Sequence, residues 1–587
     1  MGEPTQPLLI FDGKCSFCRI WVDYWKLLAG DAVEFAPSQE VQDNFPQIPR
    51  ENLGKAVHFV DESGEISAGA EAVFRSLSYH SSYRWTLWMY RHVPGFAPVT
   101  EAAYRWIAAH RDFGYSVTVT LFGRKVTPLR YDAVTWLFRK LLAIIWIIAF
   151  ISFGVQAQAL IGSNGVLPLS MYLNRSVPTL FLFNASDGAI TAVWVTGVVC
   201  GLLALFGIFT RLAFFGAFAL YLSLLNASQE FLSYQWDILL LEAGFLAIFL
   251  GYSRTIVWLY RWLLFRLMLL SGLVKLLSGD ETWRSLTALL VHFETQPIPT
   301  PLAWYVHQAP PWFLKLACGL VFVVELLAPF LIFFPRRARI FGAWLLIGLQ
   351  LLILTTGNYA FFNWLSLALC LFLFDDQTFP NIQKAERFFL PEGMRKAIAW
   401  SMTVLIGVVS ASLFRHAITG RLLPLTSQIV SFVAPFNISS SYGLFASMTT
   451  QRPEIIIEGS NDGVNWRAYE FRYKPGDPGR RPPWAAPHQP RLDWQMWFAA
   501  LGSYRENTWL LNLIIRLLQG LPEVLRQVEY NPFPDNPPTW IRADLYLYRF
   551  TRGRSRDWWT RTPAGQYLPP VSLEVLSELP LLKGDQR

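Results

Sequence analysis

A succession of long apolar runs between residues 141 and 413 constrains this chain more than any other feature. A helix needs about 20 predominantly apolar residues to cross a bilayer, because lipid offers its backbone no hydrogen-bond partners. The sequence predicts a polytopic α-helical membrane protein with about nine helices, of which the third, fourth and eighth are short. The candidate spans lie near residues 141–150, 190–209, 212–226, 237–252, 255–277, 312–334, 340–356, 361–374 and 396–413.

The composition agrees with a chain that is largely solvated by lipid. It is 53% hydrophobic and 16% charged, whereas soluble proteins carry about 25% charged residues. The net charge of +8 could suggest nucleic acid, but the basic residues are dispersed at the ends of apolar runs. Membrane topology favours basic residues there. We therefore predict a lipid bilayer as a partner and no nucleic acid.

The connecting loops predict the topology. Loops rich in arginine and lysine, such as 335–339 and 375–396, alternate with basic-poor loops, and the positive-inside rule places the basic loops in the cytoplasm. The N-terminus lacks a basic region followed by an apolar one, so we predict no signal peptide. With a cytoplasmic N-terminal domain and nine crossings, the loop 278–311 and everything after Phe414 lie on the outer side.

Two cysteines mark a candidate redox site in a predicted domain at residues 1–120. An apolar strand ending at Phe11 leads through a turn to Cys15 and Cys18 and then to a helical pattern. A cysteine at a helix N-terminus is favoured as a thiolate nucleophile, and Cys18 is placed to resolve a mixed disulfide. Half of a zinc site and an inert remnant remain alternatives, although His58 and His80 show no paired ligand spacing.

The same region resembles the DCC family of thiol–disulfide oxidoreductases over residues 7–115. Its motif, Asp-Gly-x-Cys-x-x-Cys, is matched by Asp12, Gly13, Cys15 and Cys18, and VHFVDESGEISAGAEAVFRSL and YRWIAAHR extend the likeness. The resemblance implies an α/β thioredoxin-like redox fold with thiol–disulfide chemistry through Cys15 and Cys18. Because the predicted topology places this domain in the cytoplasm, we expect a cytosolic redox partner. The resemblance does not indicate the substrate.

One lysine, Lys275, lies inside the apolar run at 255–277. An ammonium group at membrane depth costs roughly 2.5–3.5 kcal/mol on insertion scales. Three interpretations stay open: the side chain snorkels to the interface, it lines a polar cavity with Glu242 or Glu325, or it contacts anionic lipid.

The pattern changes to β-rich in a predicted third domain at residues 414–587, which follows a membrane domain at 121–413. Asn461-Asp462-Gly463 between two alternating runs predicts a hairpin, and residues 541–550 predict a strand of the same sheet. Residues 508–519 predict a helix that lies on the membrane surface or packs on the bundle. The region has no cysteine and shows no metal-spaced histidines, so we predict no metal site, and lone His488 is interpreted as structural.

Long irregular segments resemble the lipase maturation factor family over about residues 130–553. They include GDETWRSLTALLVHFETQPIPTPLAWYVHQAP, GNYAFFNWLSLALCLFLFDD and the stretch from YGLFASMTTQRPEIIIEGSNDGVNWRAYEFRYKPG to NPFPD. The resemblance implies a membrane-embedded folding factor, or chaperone, for a secreted lipase-like client on the outer side. Because the N-terminal domain differs from the animal arrangement, we expect a bacterial inner membrane, with a periplasmic C-terminal domain.

A weaker similarity leads to one more alternative. Ser271-Gly272-x-x-Lys275-Leu276, followed by Trp283, is similar to the lysine helix of the vitamin K-dependent carboxylase superfamily. That similarity implies a quinol-dependent membrane enzyme in which Lys275 is catalytic. A membrane-anchored thiol–disulfide oxidoreductase is the other alternative to the maturation factor, and no bound cofactor is predicted.

Overall fold

The computed structural model describes residues 6–379, 390–553 and 555–578. The chain forms two compact units. One contains residues up to 130 together with 333–341, and the other contains residues 131–332 and those from 342 onward.

The N-terminal unit is built on a four-stranded sheet in the order β2-β1-β3-β4. Strand β1 is parallel to β2 and antiparallel to β3, which is antiparallel to β4. This βαβ unit followed by a hairpin confirms the predicted α/β thioredoxin-like class. The elements are β1 (Leu8–Phe11), α1 (Ser16–Ala29), β2 (Glu34–Pro37), α2 (Ser38–Val41), α3 (Arg50–Leu53), β3 (His58–Val60), β4 (Ile66–Ala68), α4 (Gly69–Ser78), α5 (Arg84–His92), α6 (Phe96–Ala109) and α7 (Arg111–Leu121).

Both faces of this sheet are covered. Along β1, Leu9 and Phe11 enter a core with Val22 of α1, whereas Leu8 and Ile10 enter a second core on the opposite face. Successive strand residues point to opposite faces, so a strand buried on both faces appears in the sequence as a continuous apolar run.

The membrane domain confirms the polytopic helical class, and seven helices of the described residues are long and apolar enough to cross a membrane. They are α8, α10, α11, α13, α17 with its continuation to Phe333, α18 and α20. The bounds are α8 (Asp132–Ile161), α9 (Leu169–Tyr172), α10 (Asp187–Phe206), α11 (Thr210–Ala227), α12 (Gln235–Phe249), α13 (Arg254–Leu277), α14 (Glu281–Arg284), α15 (Ala288–Thr295), α16 (Pro301–His307), α17 (Pro311–Phe322), α18 (Arg336–Thr356), α19 (Phe362–Cys370) and α20 (Glu392–Thr419).

The two remaining predicted spans, at 237–252 and 361–374, also run across the bundle. Arg139 near the start of α8 donates to the carbonyl of Leu250 at the end of α12. The start of α12 lies beside the other end of α8, since Arg491 contacts both Asp237 and Gln156. Seventeen residues of α8 rise about 25 Å, and the 15 residues of α12 rise about 22 Å. Helix α12 therefore lies antiparallel to α8 over most of a bilayer's thickness.

Helix α19 makes a similar crossing. Asn358, just before it, donates to the carbonyl of Pro483 in the C-terminal region at 2.9 Å. Phe372, just after it, accepts from Arg261 at 2.8 Å, and Arg261 also donates to Tyr131 next to the start of α8. The segment thus runs from the C-terminal region to the end of the bundle where α8 begins.

The C-terminal region carries the predicted antiparallel sheet, in the order β10-β9-β5-β6, with a separate β7-β8 pair. The hairpin signal at 461–463 lies between β5 and β6, where the Asp462 carboxylate accepts backbone N–H groups of Val464 and Asn465. The elements are α21 (Ser427–Val433), β5 (Arg452–Ser460), β6 (Arg467–Ala468), β7 (Glu470–Phe471), α22 (Arg491–Ala500), α23 (Thr508–Leu518), α24 (Pro522–Leu525), β8 (Val528–Tyr530), β9 (Trp540–Phe550), β10 (Trp559–Val571) and α25 (Leu573–Glu578).

Of the two environments predicted for residues 508–519, the structure shows packing inside the protein. Eight of the 11 residues of α23 are buried. Its polar side chains reach back to the chain between α8 and α10: Asn512 donates to the Tyr172 hydroxyl at 3.1 Å, and Arg516 donates to the carbonyl of Gly165 at 3.0 Å.

Candidate functional site

The dithiol lies at the N-terminus of α1. Cys15 is the N-cap residue, and its sulfur accepts a hydrogen bond from the backbone N–H of Cys18 at 3.3 Å. Both thiols are free and half-buried. The N–H of Cys18, one of the first-turn groups that have no partner within the helix, therefore points at the Cys15 sulfur. This is the placement expected for the attacking thiol of a disulfide-exchange site.

The loop before the dithiol is held in one conformation. The Asp12 carboxylate accepts from Gln39 at 3.0 Å and forms an ion pair with Arg111 at 3.3 Å. Gly13 lies so close to Pro37 that an added Cβ would be 2.8 Å from the proline Cβ. The Asp-Gly part of the motif thus has a structural reason: its aspartate anchors the loop, and only glycine fits beside β2.

Cys18 faces a different environment from Cys15. Its thiol lies on the wall of an apolar groove of about 570 Å³ between α1, α4, α6 and α7. Burial, followed by the interaction with Cys15, raises the pKa of Cys18 to about 12. A thiol with such a pKa is protonated at pH 7, which suits a resolving cysteine that reacts only after Cys15 has been modified.

Alkylation should expose this difference. At pH 8 the thiolate fraction of Cys18 is on the order of a thousandfold below that of an ordinary cysteine, so iodoacetamide should modify it correspondingly slowly. Since the pKa is raised, the rate should increase about tenfold per pH unit up to roughly pH 12. Peptide mass spectrometry after timed quenching measures the rate of Cys18 alkylation. The denatured protein is the control, and equal Cys18 rates in folded and denatured protein would contradict this assignment.

Within the part of the chain that the structure describes, no metal-ligand set lies at the dithiol. Among residues 6–379, 390–553 and 555–578, no three His, Cys, Asp or Glu side chains come together as a metal-ligand group. The zinc alternative therefore gains no support from these residues.

The second predicted site residue, Lys275, is buried in the bundle and does not snorkel. Its ammonium group donates to both carboxylate oxygens of Glu325, at 2.6 and 2.9 Å, and to the carbonyl of Ser271 at 3.0 Å. It also lies 5.4 Å from the centre of the Trp283 ring. The polar-cavity interpretation is thus the one that the geometry favours, with Glu325 as the partner.

A small cavity adjoins this ion pair. Its volume is about 90 Å³, and its lining includes Lys275, Glu325, His292 and Tyr359. Burial and the charge of Lys275 lower the pKa of His292 to about 4, so the imidazole is neutral at pH 7. Ligand pockets usually measure about 300–1,000 Å³, and a water molecule takes about 30 Å³. The cavity in this conformation therefore suits a few waters rather than a quinol.

The loop that follows Lys275 forms the support of the C-terminal sheet. Arg452 of β5 donates to the carbonyls of Glu294 and Pro297, at 2.9 and 2.7 Å. The Glu294 carboxylate accepts from the N–H of Phe550 on β9 at 3.0 Å, and the Trp497 indole donates to the carbonyl of Thr295 at 2.9 Å. Sheet, loop and bundle are therefore joined through α15 and the turn after it.

Buried ion pairs that the sequence did not predict strengthen this junction. Arg491 of α22 donates to the Asp237 carboxylate of α12 through both terminal guanidinium nitrogens, at 2.6 and 2.8 Å. Glu242, the other partner considered for Lys275, is bound instead by Arg266 and by the Tyr442 hydroxyl at 2.7 Å. The only sequence signal for these pairs was the presence of charged residues within apolar helices.

His488 lies at the same junction. Its Nδ1 is 3.0 Å from the Ser152 hydroxyl of α8. Burial, followed by the charges of Arg491 and Arg472, lowers the pKa of His488 to about 4. A neutral imidazole bonded to a buried serine agrees with the structural role expected from the sequence.

Comparisons with known proteins cover both parts of the chain. Residues 133–381 match the lipase maturation factor transmembrane domain, residues 438–569 match the lipase maturation factor C-terminal domain, and residues 9–114 match DCC1-like thiol-disulfide oxidoreductases. No solved structure matches.

Vertebrate proteins are among those similar to this chain. Human lipase maturation factor 1 is 34% identical over 510 residues, which cover 75% of this chain and 89% of the human protein. Lipase maturation factor 2 of Gallus gallus is 33% identical over 585 residues, with 74% of this chain and 81% of the chicken protein covered. The chain belongs to the lipase maturation factor family and carries, before its membrane domain, a DCC1-like thiol-disulfide oxidoreductase domain.

Proposed function

We propose that this protein is a membrane-embedded maturation factor for secreted lipases, with a fused dithiol domain that serves a different partner. The observation that carries the proposal is the 34% identity to human lipase maturation factor 1 across both family domains. The three-part division at 1–120, 121–413 and 414–587 separates redox, membrane and client-binding roles.

The client would bind on the side of the C-terminal sheet. This sheet stands on the loop 278–311 through buried hydrogen bonds, and a surface held in one conformation can bind a client at a lower entropic cost. The C-terminal region around this sheet also exposes large apolar side chains, including Val464, Trp484 and Tyr530. Such residues suit contact with an incompletely folded client, whose apolar surface is not yet buried.

Loss of the protein should leave the client secreted but inactive. In a strain that lacks the gene, we expect the ratio of lipase activity to secreted lipase mass to fall at least tenfold, because the client still leaves the cell but misfolds. Complementation with the double variant Cys15→Ser/Cys18→Ser should restore the ratio if the dithiol serves another partner. An unchanged ratio in the deletion strain would exclude the proposed function.

The proposal also assigns each domain outside the bundle to one side of the membrane. We place the N-terminal domain in the cytoplasm and the C-terminal domain in the periplasm of a bacterial inner membrane. The basic start of α18, with Arg336, Arg337 and Arg339, supports this placement, because it belongs to the same compact unit as the N-terminal domain and the positive-inside rule favours the cytoplasm for a basic segment at the end of a span.

Thiol labelling in intact cells tests these sides. A membrane-impermeant maleimide should modify a cysteine introduced at Val464, which is 77% exposed, and should leave Cys15 unmodified until the membrane is permeabilised. The matched control carries the cysteine at Glu51, an exposed position of the N-terminal domain. Labelling of Cys15 and position 464 from the same side would show that the number of crossings is even.

A further inference from the structure

The N-terminal domain has two parts of opposite charge. Residues 1–83 contain six Arg and Lys against 12 Asp and Glu, whereas residues 84–130 contain seven against two. The second part comprises helices α5, α6 and α7 and the segment that leads to the membrane domain. With this charge distribution, the second part is attracted to an anionic surface and the first part is repelled by it.

The basic part also exposes large aromatic rings. Trp85 and Trp88 of α5 are 57% and 59% exposed, and Trp106 of α6 and Phe113 of α7 are 55% and 59% exposed. The rings of Trp106 and Phe113 are 6.0 Å apart, so they form one apolar patch. Proteins rarely expose an apolar patch of large aromatic rings unless the surface binds something.

Arginines flank these rings. Arg84 and Arg91 on α5 and Arg105 on α6 are exposed, whereas Arg111 is paired with Asp12. On α5 the opposite face is packed inward, since Thr86 is buried and the Tyr90 hydroxyl donates to Glu101 at 3.0 Å. The helix is therefore amphipathic, with tryptophan and arginine together on its outer face.

We propose that α5 and α6, with Phe113, form a surface that binds the headgroup region of an anionic lipid bilayer. Tryptophan is favoured at the membrane interface because its ring is apolar and its N–H is polar. Each arginine near an anionic leaflet contributes about a fivefold preference for the bound state, given the roughly 1 kcal/mol of attraction per basic residue. Charge complementarity thus favours lipid over an apolar protein partner.

The bilayer is also within reach of this surface. Residues 122–131 alone separate the end of α7 from the start of α8, and a fully extended connection of that length spans no more than roughly 40 Å. The local concentration of lipid is consequently high, and even weak interfacial binding can be maintained.

Spin labels on the full-length protein in vesicles test the proposal. Single cysteines at Val99 and Ala109, both exposed on α6, are introduced after the five native cysteines have been replaced, and Glu51 on the acidic part is the control site. In vesicles of phosphatidylcholine with phosphatidylglycerol, the labels at 99 and 109 should collide several-fold more with oxygen, and several-fold less with a water-soluble nickel chelate, than the label at 51.

Charge reversal then tests the role of the arginines. Arg84→Glu/Arg91→Glu/Arg105→Glu should raise nickel collisions at 99 and 109 several-fold and leave those at 51 unchanged. Two results with the protein that keeps its three arginines would overturn the proposal. High nickel accessibility at positions 99 and 109 would mean that both are exposed to water, and low accessibility to both oxygen and nickel would mean that protein covers them.

Discussion

Replacing Arg491 by leucine should lower the free energy of unfolding by about 3–5 kcal/mol, because it leaves a buried carboxylate without its counter-charge. Arg491 and Asp237 are both inaccessible to solvent, and they are joined by two hydrogen bonds of 2.6 and 2.8 Å. Arg491 also donates to the carbonyl of Phe231 at 2.8 Å. After the substitution, Asp237 keeps only the Tyr221 hydroxyl among its side-chain partners in the described residues.

Because this pair links α22 to α12, the C-terminal region should loosen from the bundle before the bundle unfolds. Limited proteolysis of the detergent-solubilised protein should then release the C-terminal region much faster than in the unmodified protein, and thermal unfolding should begin at lower temperature. Arg505→Leu is the matched control: this arginine is exposed, so the change should stay within about 0.5 kcal/mol. A similarly small effect of Arg491→Leu would show that the pair does not hold the two parts together.

The double variant Arg491→Leu/Asp237→Leu separates charge from packing. Apolar replacement of both members of a buried pair is often neutral or stabilising, so stability should recover by at least about 2 kcal/mol relative to Arg491→Leu alone. If the double variant is as unstable as the single one, the loss arises from packing around the guanidinium and not from the unpaired carboxylate.

The sequence allowed the local elements to be predicted, but not their long-range partners. The hairpin at Asn461-Asp462-Gly463 and the strand at 541–550 each follow from a local sequence pattern, and both occur in the structure. The contact between Arg491 and Asp237 spans 254 residues. A buried arginine has no periodic signature of its own, so only the folded arrangement identifies its partner.

The same limit applied to the candidate sites. The dithiol was predictable because its chemistry is encoded in four adjacent residues, from Cys15 to Cys18, and a helix start. Lys275 was recognisable as unusual because a charge interrupts an apolar helix. The environment of Lys275 could not be predicted from the sequence. Snorkelling and pairing differ only in where Glu325 lies, and this residue is 50 positions further along the chain.

Replacing Lys275 by methionine should destabilise the membrane domain by about 3–5 kcal/mol, since Glu325 would remain buried without its partner. Glu325→Leu should cost a comparable amount for the converse reason. The double variant Lys275→Met/Glu325→Leu fills the same space with apolar groups, so it should regain stability to within about 1.5 kcal/mol of the unmodified protein. Detergent or denaturant titration monitored by helix content measures each of these values. Lys315→Met, at an exposed lysine of α17, is the control and should change stability by no more than about 0.5 kcal/mol.

Client maturation in these four variants distinguishes a structural lysine from a catalytic one. If the ion pair only joins α13 to the helix that carries Glu325, lipase activity per secreted lipase should follow stability: low in both single variants and restored in the double variant. If Lys275 acts as a base, the double variant should be stable yet inactive, because methionine cannot take up a proton. The cavity beside the pair measures about 90 Å³ and is lined mostly by apolar side chains, which leaves little room for a substrate. We therefore expect the double variant to mature its client, and a folded but inactive double variant would assign chemistry to Lys275.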